Sequence, residues 1–160
     1  MDNVSAPRIN RGYFEIGIYN TKVVSNIGTL WRSAYQLGAS GIFTIGRRYK
    51  KQASDTLKTF RHIPLRNYAT FDQFYESIPY GCRLIGVEMG GKVLETICHP
   101  ERAVYLLGAE DHGLPSSIIE RCHSVVSLDS IRTASYNVAV AGSIVMYHRL
   151  TERHNIGATG

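Results

Sequence analysis

Short β-rich apolar runs alternate along the chain with stretches whose apolar residues recur at helical spacing. Phe14 to Tyr19, with Ile16 and Ile18 inside it, predicts a first strand. Gly41 to Gly46, Arg83 to Glu88, Ala103 to Leu107 and Ser124 to Leu128 predict four more. The fourth is apolar nearly throughout, as a strand buried on both faces must be. Between the first two strands, Ile27, Leu30, Trp31, Ala34 and Leu37 fall on one helical face. Ser25 or Asn26 is placed to cap that helix and Gly38 to stop it. Phe71 to Ile78, after Thr70, predicts a second helix, and Pro115 a short third one reaching about Arg121. A last helix is expected from Asn137 to about Thr151. Its opening Val138-Ala139-Val140-Ala141-Gly142 is small and apolar nearly all round, which predicts burial and close packing. Strands alternating with helices imply an α/β domain with a largely parallel sheet.

The pattern fails between Arg47 and Arg66. That stretch holds Arg47, Arg48, Lys50, Lys51, Lys58, Arg61 and Arg66 with Tyr49 and Phe60 interleaved. It is expected to be a part-helical, mobile excursion, and with Arg8 and Arg11 it is the candidate surface for a polyanion. Over all 160 residues the net charge is +5 and the pI near 9.2. Such a balance favours a polyanionic partner, because phosphate neutralisation drives most nucleic-acid affinity.

With 44% hydrophobic and 19% charged residues the composition is that of an ordinary globular domain. No run approaches the ~20 apolar residues of a membrane span. Met1 to Ser5 lacks the basic start and apolar run of a secretory signal, so a cytoplasmic protein is expected. Cys82, Cys98 and Cys122 are odd in number with no C-x-x-C spacing, which favours reduced thiols. Cys98-His99, His112 and Cys122-His123 match no zinc spacing, and no metal is expected.

Three segments could carry chemistry. Asn26-Ile27-Gly28-Thr29-Leu30-Trp31-Arg32 follows the first strand, where open α/β sheets place their ligands. It lacks the G-x-G-x-x-G of a dinucleotide fold. Gly108-Ala109-Glu110-Asp111-His112-Gly113-Leu114-Pro115 follows the fourth strand. Its glycines allow close backbone approach, while its carboxylates repel phosphate and suit a ligand bearing hydroxyls and an ammonium group. Ser135-Tyr136-Asn137 opens the last helix, which Ser135 or Asn137 could cap.

Together these segments resemble motifs one to three of the SpoU/TrmH branch of the SPOUT RNA methyltransferases. That pattern runs N-x-G-x-x-x-R, then G-x-E-x-x-G-[LI], then S-x-N. The chain supplies Asn26, Gly28 and Arg32; Gly108, Glu110, Gly113 and Leu114; and Ser135 and Asn137. The likeness runs from about Phe14 to Leu150. It departs at Ala109, at Tyr136, and at Val126-Ser127-Leu128 where Ile-Pro-Met is usual, with one extra residue before Ser135.

The resemblance implies S-adenosylmethionine-dependent methylation of a ribose 2′-hydroxyl in RNA, with tRNA preferred over rRNA. It implies a homodimer whose active site is completed near the subunit interface, and a C-terminal deep trefoil knot. Asn26, Arg32, Ser135 and Asn137 would be catalytic. Val87, Glu88, Gly108, Glu110, Val126, Leu128 and Ser135 would hold the cofactor, and Arg47, Arg48, Lys50, Lys51 and Arg61 of the basic stretch, with Arg8 and Arg11, would contact the RNA. Arg32 is proposed as general base in this family, but a guanidinium keeps its proton at neutral pH, and a phosphate clamp is physically easier. The expected organisation is a short extension over 1–13, the methyltransferase domain over 14–153 and a flexible tail over 154–160. The competing reading is a knotted RNA-binding module without turnover. A nicotinamide- or nucleotide-dependent α/β enzyme is a third.

Overall fold

The computed structural model describes residues 12–46, 62–110, 112–133 and 135–158, with side chains as far as residue 152. Its elements are β1 (Tyr13–Tyr19), α1 (Val24–Leu37), β2 (Gly41–Ile45), β3 (Leu65–Tyr68), α2 (Phe71–Ser77), β4 (Arg83–Val93), β5 (Arg102–Leu107), α3 (Ser116–Ile119), β6 (Ser124–Ser127) and α4 (Val138–Ala158). A short 3-10 turn, Leu94–Thr96, follows β4.

Among the described residues, six strands form one sheet in the order β3-β2-β1-β5-β4-β6, every neighbouring pair parallel. Strand alternation divides the core. On one face Ile16, Ile42, Ile85, Tyr105 and Leu107 pack under α1 and α4. On the other, Phe43, Leu84, Val104 and Leu106 pack under α2 and α3. Successive β5 residues thus feed opposite cores, which is why this strand reads as a continuous apolar run. At Gly142 of α4 an added Cβ would stand 2.6 Å from Leu30 Cδ1 and 2.9 Å from Leu107 Cδ1. The small residues opening α4 are what let it lie this close to the sheet. Val140 departs from that expectation, being 46% exposed.

Several sequence expectations need correcting, among them the strand predicted over Arg83 to Glu88, which runs on to Val93 as β4. Among the described residues there are six strands, not five: β3 begins at the last two residues of the stretch expected to form the basic excursion and runs on to Tyr68. Its Leu65-Arg66-Asn67-Tyr68 has exposed polar residues at its centre and no apolar alternation. Pairing with β2 makes it a strand, helped by the Thr44 hydroxyl, 2.6 Å from Asn67 Oδ1, and by the Arg66–Glu15 ion pair. Helix α1 starts at Val24, with Val23 at its N-cap and no side-chain cap, so neither Ser25 nor Asn26 caps it. Strand β6 ends at Ser127 rather than Leu128. Helix α4 starts one residue after Asn137 and continues past Thr151 to Ala158.

Nothing in the hydrophobic pattern announces the burial of Arg149. Its side chain is 1% exposed, with Nη1 donating to the Pro100 carbonyl (2.6 Å) and Nη2 to the Glu101 carbonyl (2.9 Å). It thereby ties α4 to the turn entering β5, with its guanidinium over the Phe14 ring. Among the described residues, no helix is long and apolar enough to cross a membrane.

Candidate active site

A parallel sheet brings the C-terminal ends of its strands to one edge, and there the three motif segments meet. The contact is direct. Glu110, just beyond β5, accepts a hydrogen bond at Oε1 from the Asn26 side-chain amide (2.7 Å) and another from the Thr21 hydroxyl (2.8 Å). Asn26 Oδ1 in turn accepts from the Asn137 side-chain amide at 3.0 Å. One polar chain therefore runs from the start of α4, through the first turn of α1, to the turn after β5.

Both amides in this chain are used at each end. Asn26 is buried, and a buried amide without partners is costly, so its two ends fix the distance between the flanking turns. Asn137 also caps α4, its Oδ1 accepting from the Val140 amide (3.2 Å). Capping and bridging are thus done by opposite ends of one side chain. Burial opposes ionisation of Glu110. Hydrogen bonds from its own backbone, from Thr21 and Asn26 and from the Lys22 amide outweigh that, and its carboxyl stays below the ordinary range.

Beside this chain lies a cavity of about 340 Å³. Val87, Leu107, Leu128 and Val138 give it apolar walls, while Glu88, Glu110 and His112 make its polar rim. Glu88 braces the far side: its Oε2 accepts from the Leu114 amide (2.7 Å) and its Oε1 from the Met89 amide (3.0 Å). Gly113, at φ +61°, packs so closely on that carboxylate that a Cβ would collide with it. At Gly108 a Cβ would lie 2.5 Å from the Gly113 carbonyl carbon. These two glycines allow the turn to close on itself and on Glu88, rather than only to admit a ligand.

Of the expected cofactor contacts, Val87, Glu88, Gly108, Glu110, Leu128 and Ser135 all border the cavity. Val126 does not. It is 1% exposed and packs within the core under α1 and α4, two residues short of Leu128, where the chain beyond β6 reaches the cavity. Asn26 and Asn137 stand behind the rim, joined to it through Glu110. Arg32 stands apart. It lies six residues beyond Asn26 on a continuous helix, about 120° round the axis. It is exposed and outside the cavity lining.

The family motifs do not point to Thr21, although its place just after β1 is where ligand-side residues of such sheets fall. The basic residues Arg47, Arg48, Lys50, Lys51 and Arg61, with Arg8 and Arg11, lie outside the described residues. Among the described residues, one group of three metal-type donors lies together, His99, His148 and Glu152. There His99 Nε2 and His148 Nδ1 share a 2.7 Å hydrogen bond, and the His99 amide donates to the Glu152 carboxylate.

Residues 14–147 match the SpoU rRNA methylase family. An uncharacterized tRNA/rRNA methyltransferase of Archaeoglobus fulgidus is 25% identical over an alignment of 142 positions that covers 85% of this chain. The match spans 63% of the length of that relative. Among solved structures, one concerning 2-OH methylation of C/U34 on tRNA superposes with a TM-score of 0.78 at 24% identity, covering 91% of this chain and 99% of the other. The methyltransferase AviRb of Streptomyces viridochromogenes, in complex with AdoMet, gives a TM-score of 0.81 at 19% identity. It covers 89% of this chain and 58% of AviRb. At these identities the superpositions establish the fold.

Proposed function

The chain belongs to the SpoU rRNA methylase family, and we propose that it transfers a methyl group from S-adenosylmethionine to a ribose 2′-hydroxyl of RNA, with tRNA the preferred substrate. The observation that carries this reading is the Asn137–Asn26–Glu110 chain, which draws three separated motifs to the edge of one cavity.

The cavity suits the donor chemically. Its apolar walls offer an adenine ring a dry surface, and the carboxylates of Glu88 and Glu110 keep acceptor capacity toward a cationic amino acid moiety. A carboxylate rim would repel a phosphate-bearing cofactor, which counts against a nicotinamide or nucleotide coenzyme. Val87, Leu107 and Leu128 would hold the base, with Glu88, Glu110 and Ser135 at the polar end. When bound there, the donor supplies an electrophilic methyl group on sulfur. The protein's part is to hold the attacking oxygen in line, exclude water and take up the hydroxyl proton.

Arg32, charged and exposed, fits a bidentate grip on an RNA phosphate beside the target ribose. Its distance from the cavity of its own chain supports a homodimer in which Arg32 of one copy faces the other's donor. Helix α4 carries exposed Val140, Ile144 and Tyr147 along a shallow groove that also includes Thr29 and Leu94, an apolar face for a second copy. A trefoil knot formed by the segment from β6 into α4 belongs to the same reading.

Incubating the protein with tritiated S-adenosylmethionine and unmodified tRNA transcripts, then hydrolysing the RNA with alkali, tests the assignment. Label retained in alkali-resistant dinucleotides is the expected result, since a 2′-O-methyl group blocks cleavage at that linkage. Label on the bases would move the chemistry elsewhere, and RNA binding without transfer would make the protein an inactive module.

A further inference from the structure

Resting on that reading, we propose that the stacked pair Tyr35 and His62 is a nucleobase platform beside Arg32, taking an unpaired base of the substrate RNA next to the target ribose. Tyr35 lies on α1 three residues beyond Arg32, so the two side chains are surface neighbours. Its ring stacks on His62 with centroids 4.7 Å apart and planes 25° from parallel. The pair sits at the surface: Tyr35 is 45% exposed, His62 is exposed, and neither belongs to the buried core of either sheet face.

Fixing the chain at 62–63 does not require this stack. Trp31 Nε1 donates to the Ile63 carbonyl at 3.1 Å, and Ile63 is itself buried against the core. Tyr35 thus adds an aromatic face that the anchoring leaves spare. That face is suited to a base, because stacking is indifferent to base identity and the ring is already held flat by its partner. The charge beside it is also right. A phosphate on Arg32 places the adjoining nucleotides within one helical turn of the platform.

The platform stays clear of the face proposed for a second copy. Ser33, on the other flank of α1, receives the Ser143 hydroxyl bond from α4 at 2.9 Å, whereas Tyr35 is on the flank toward Ile63. A pair pointing away from the α4 groove stays open to RNA when a second copy covers that groove.

The test uses in vitro transcribed, unmodified tRNA with the full-length protein. Tyr35→Ala is expected to raise the Kd and KM for tRNA roughly 5- to 150-fold, the range of removing one base stack. S-adenosylmethionine affinity and Tm should stay near wild type, with the effect on KM exceeding that on kcat. Tyr35→Phe and Tyr35→Trp keep a ring and should restore binding, a rescue that loss of packing alone would not produce in KM. His62→Ala gives a second route should Tyr35→Ala fold poorly, with a weaker effect in the same direction. Wild-type KM in Tyr35→Ala, or in His62→Ala where the first is unfolded, overturns the platform while leaving methyl transfer intact. If the wild-type protein neither binds nor methylates the RNA, both readings fall.

Discussion

The Asn137 side-chain amide donates to the Asn26 side-chain carbonyl at 3.0 Å across 111 residues of sequence, and the Asn26 amide passes on to Glu110 at 2.7 Å. Two amides oriented head to tail and ending on a carboxylate leave no choice of rotamer at Asn26. Exchanging its oxygen and nitrogen would set like groups against each other at both ends. Asn26→Asp turns the donor facing Glu110 into an acceptor. The expected loss is about 1–3 kcal/mol of stability, the cost of an unsatisfied buried partner, together with donor binding. Thermal melts and calorimetric titration with S-adenosylmethionine check both, and wild-type values in each would show the chain to be incidental.

Glu110 gives the site a pH dependence of fixed sign. Its folded pKa is lowered below the ordinary 4.5, because its hydrogen bonds outweigh the desolvation that opposes them. A depressed carboxyl pKa contributes stability that is full above the unfolded value and lost as pH falls through the folded one. Below about pH 4.5 the wild-type protein should therefore lose Tm faster than Glu110→Gln, which has nothing to titrate there. Parallel Tm-against-pH curves for the two proteins would contradict this.

At Gly108 even one methyl group has no room, since the Gly113 backbone lies 2.5 Å from the position of a Cβ. Gly108→Ala must push the turn after β5 away from Glu88 and open the cavity wall. A loss of donor affinity of at least about tenfold is expected, with a fall in Tm of several degrees, as for overpacking in a tight site. Unchanged affinity would mean that this turn does not shape the pocket.

The thiols of Cys98 and Cys122 should differ in reactivity. Burial pushes Cys122 up to about 11, whereas Cys98 is exposed. At about pH 8 the thiolate fraction of Cys122 is then roughly one in a thousand. Iodoacetamide at that pH should alkylate Cys98 well before Cys122, as peptide mass mapping over time will show. Equal rates would mean that the turn after α3 opens readily.

The basic run around Lys50 and Lys51 is assigned to RNA from sequence. Removing one lysine–phosphate interaction lowers the slope of log Kd against log salt by a little under about one unit. Replacing both lysines with glutamine should weaken tRNA binding and flatten that slope, measured from about 50 to 200 mM salt. An unchanged slope would take these two residues off the RNA surface.

What the sequence could show was set by how local each signal is. Strands β1, β2, β5 and the first half of β4 announce themselves because both faces are buried, and α1 because its buried side has the helical period. β3 is hidden because an edge strand with Arg66 and Asn67 at its centre has no apolar pattern of its own and exists through pairing with β2. Asn26 looks like a helix cap because Asx residues before an apolar helix usually are. Its amide is instead held by Glu110, a partner that sequence spacing does not reveal. Of the bordering residues, Gly108, Glu110 and Ser135 are legible in the family motifs, and Val87, Glu88 and Leu128 through the resemblance of the chain around them. Val126 does not border the cavity although it shares a sheet face with Val87 and Leu107: two residues short of Leu128, it is packed inside the core beneath α1 and α4.

The central claim is that the pocket beside Glu110 holds a methyl donor whose group passes to a ribose held by Arg32. Single-turnover transfer from labelled S-adenosylmethionine to unmodified tRNA, compared between the wild-type protein and Arg32→Ala with donor affinity measured in parallel, tests this most directly. The variant should bind the donor as wild type does and transfer at least about a hundredfold more slowly, as expected when an attacking group loses its alignment. Wild-type transfer by Arg32→Ala would contradict the account.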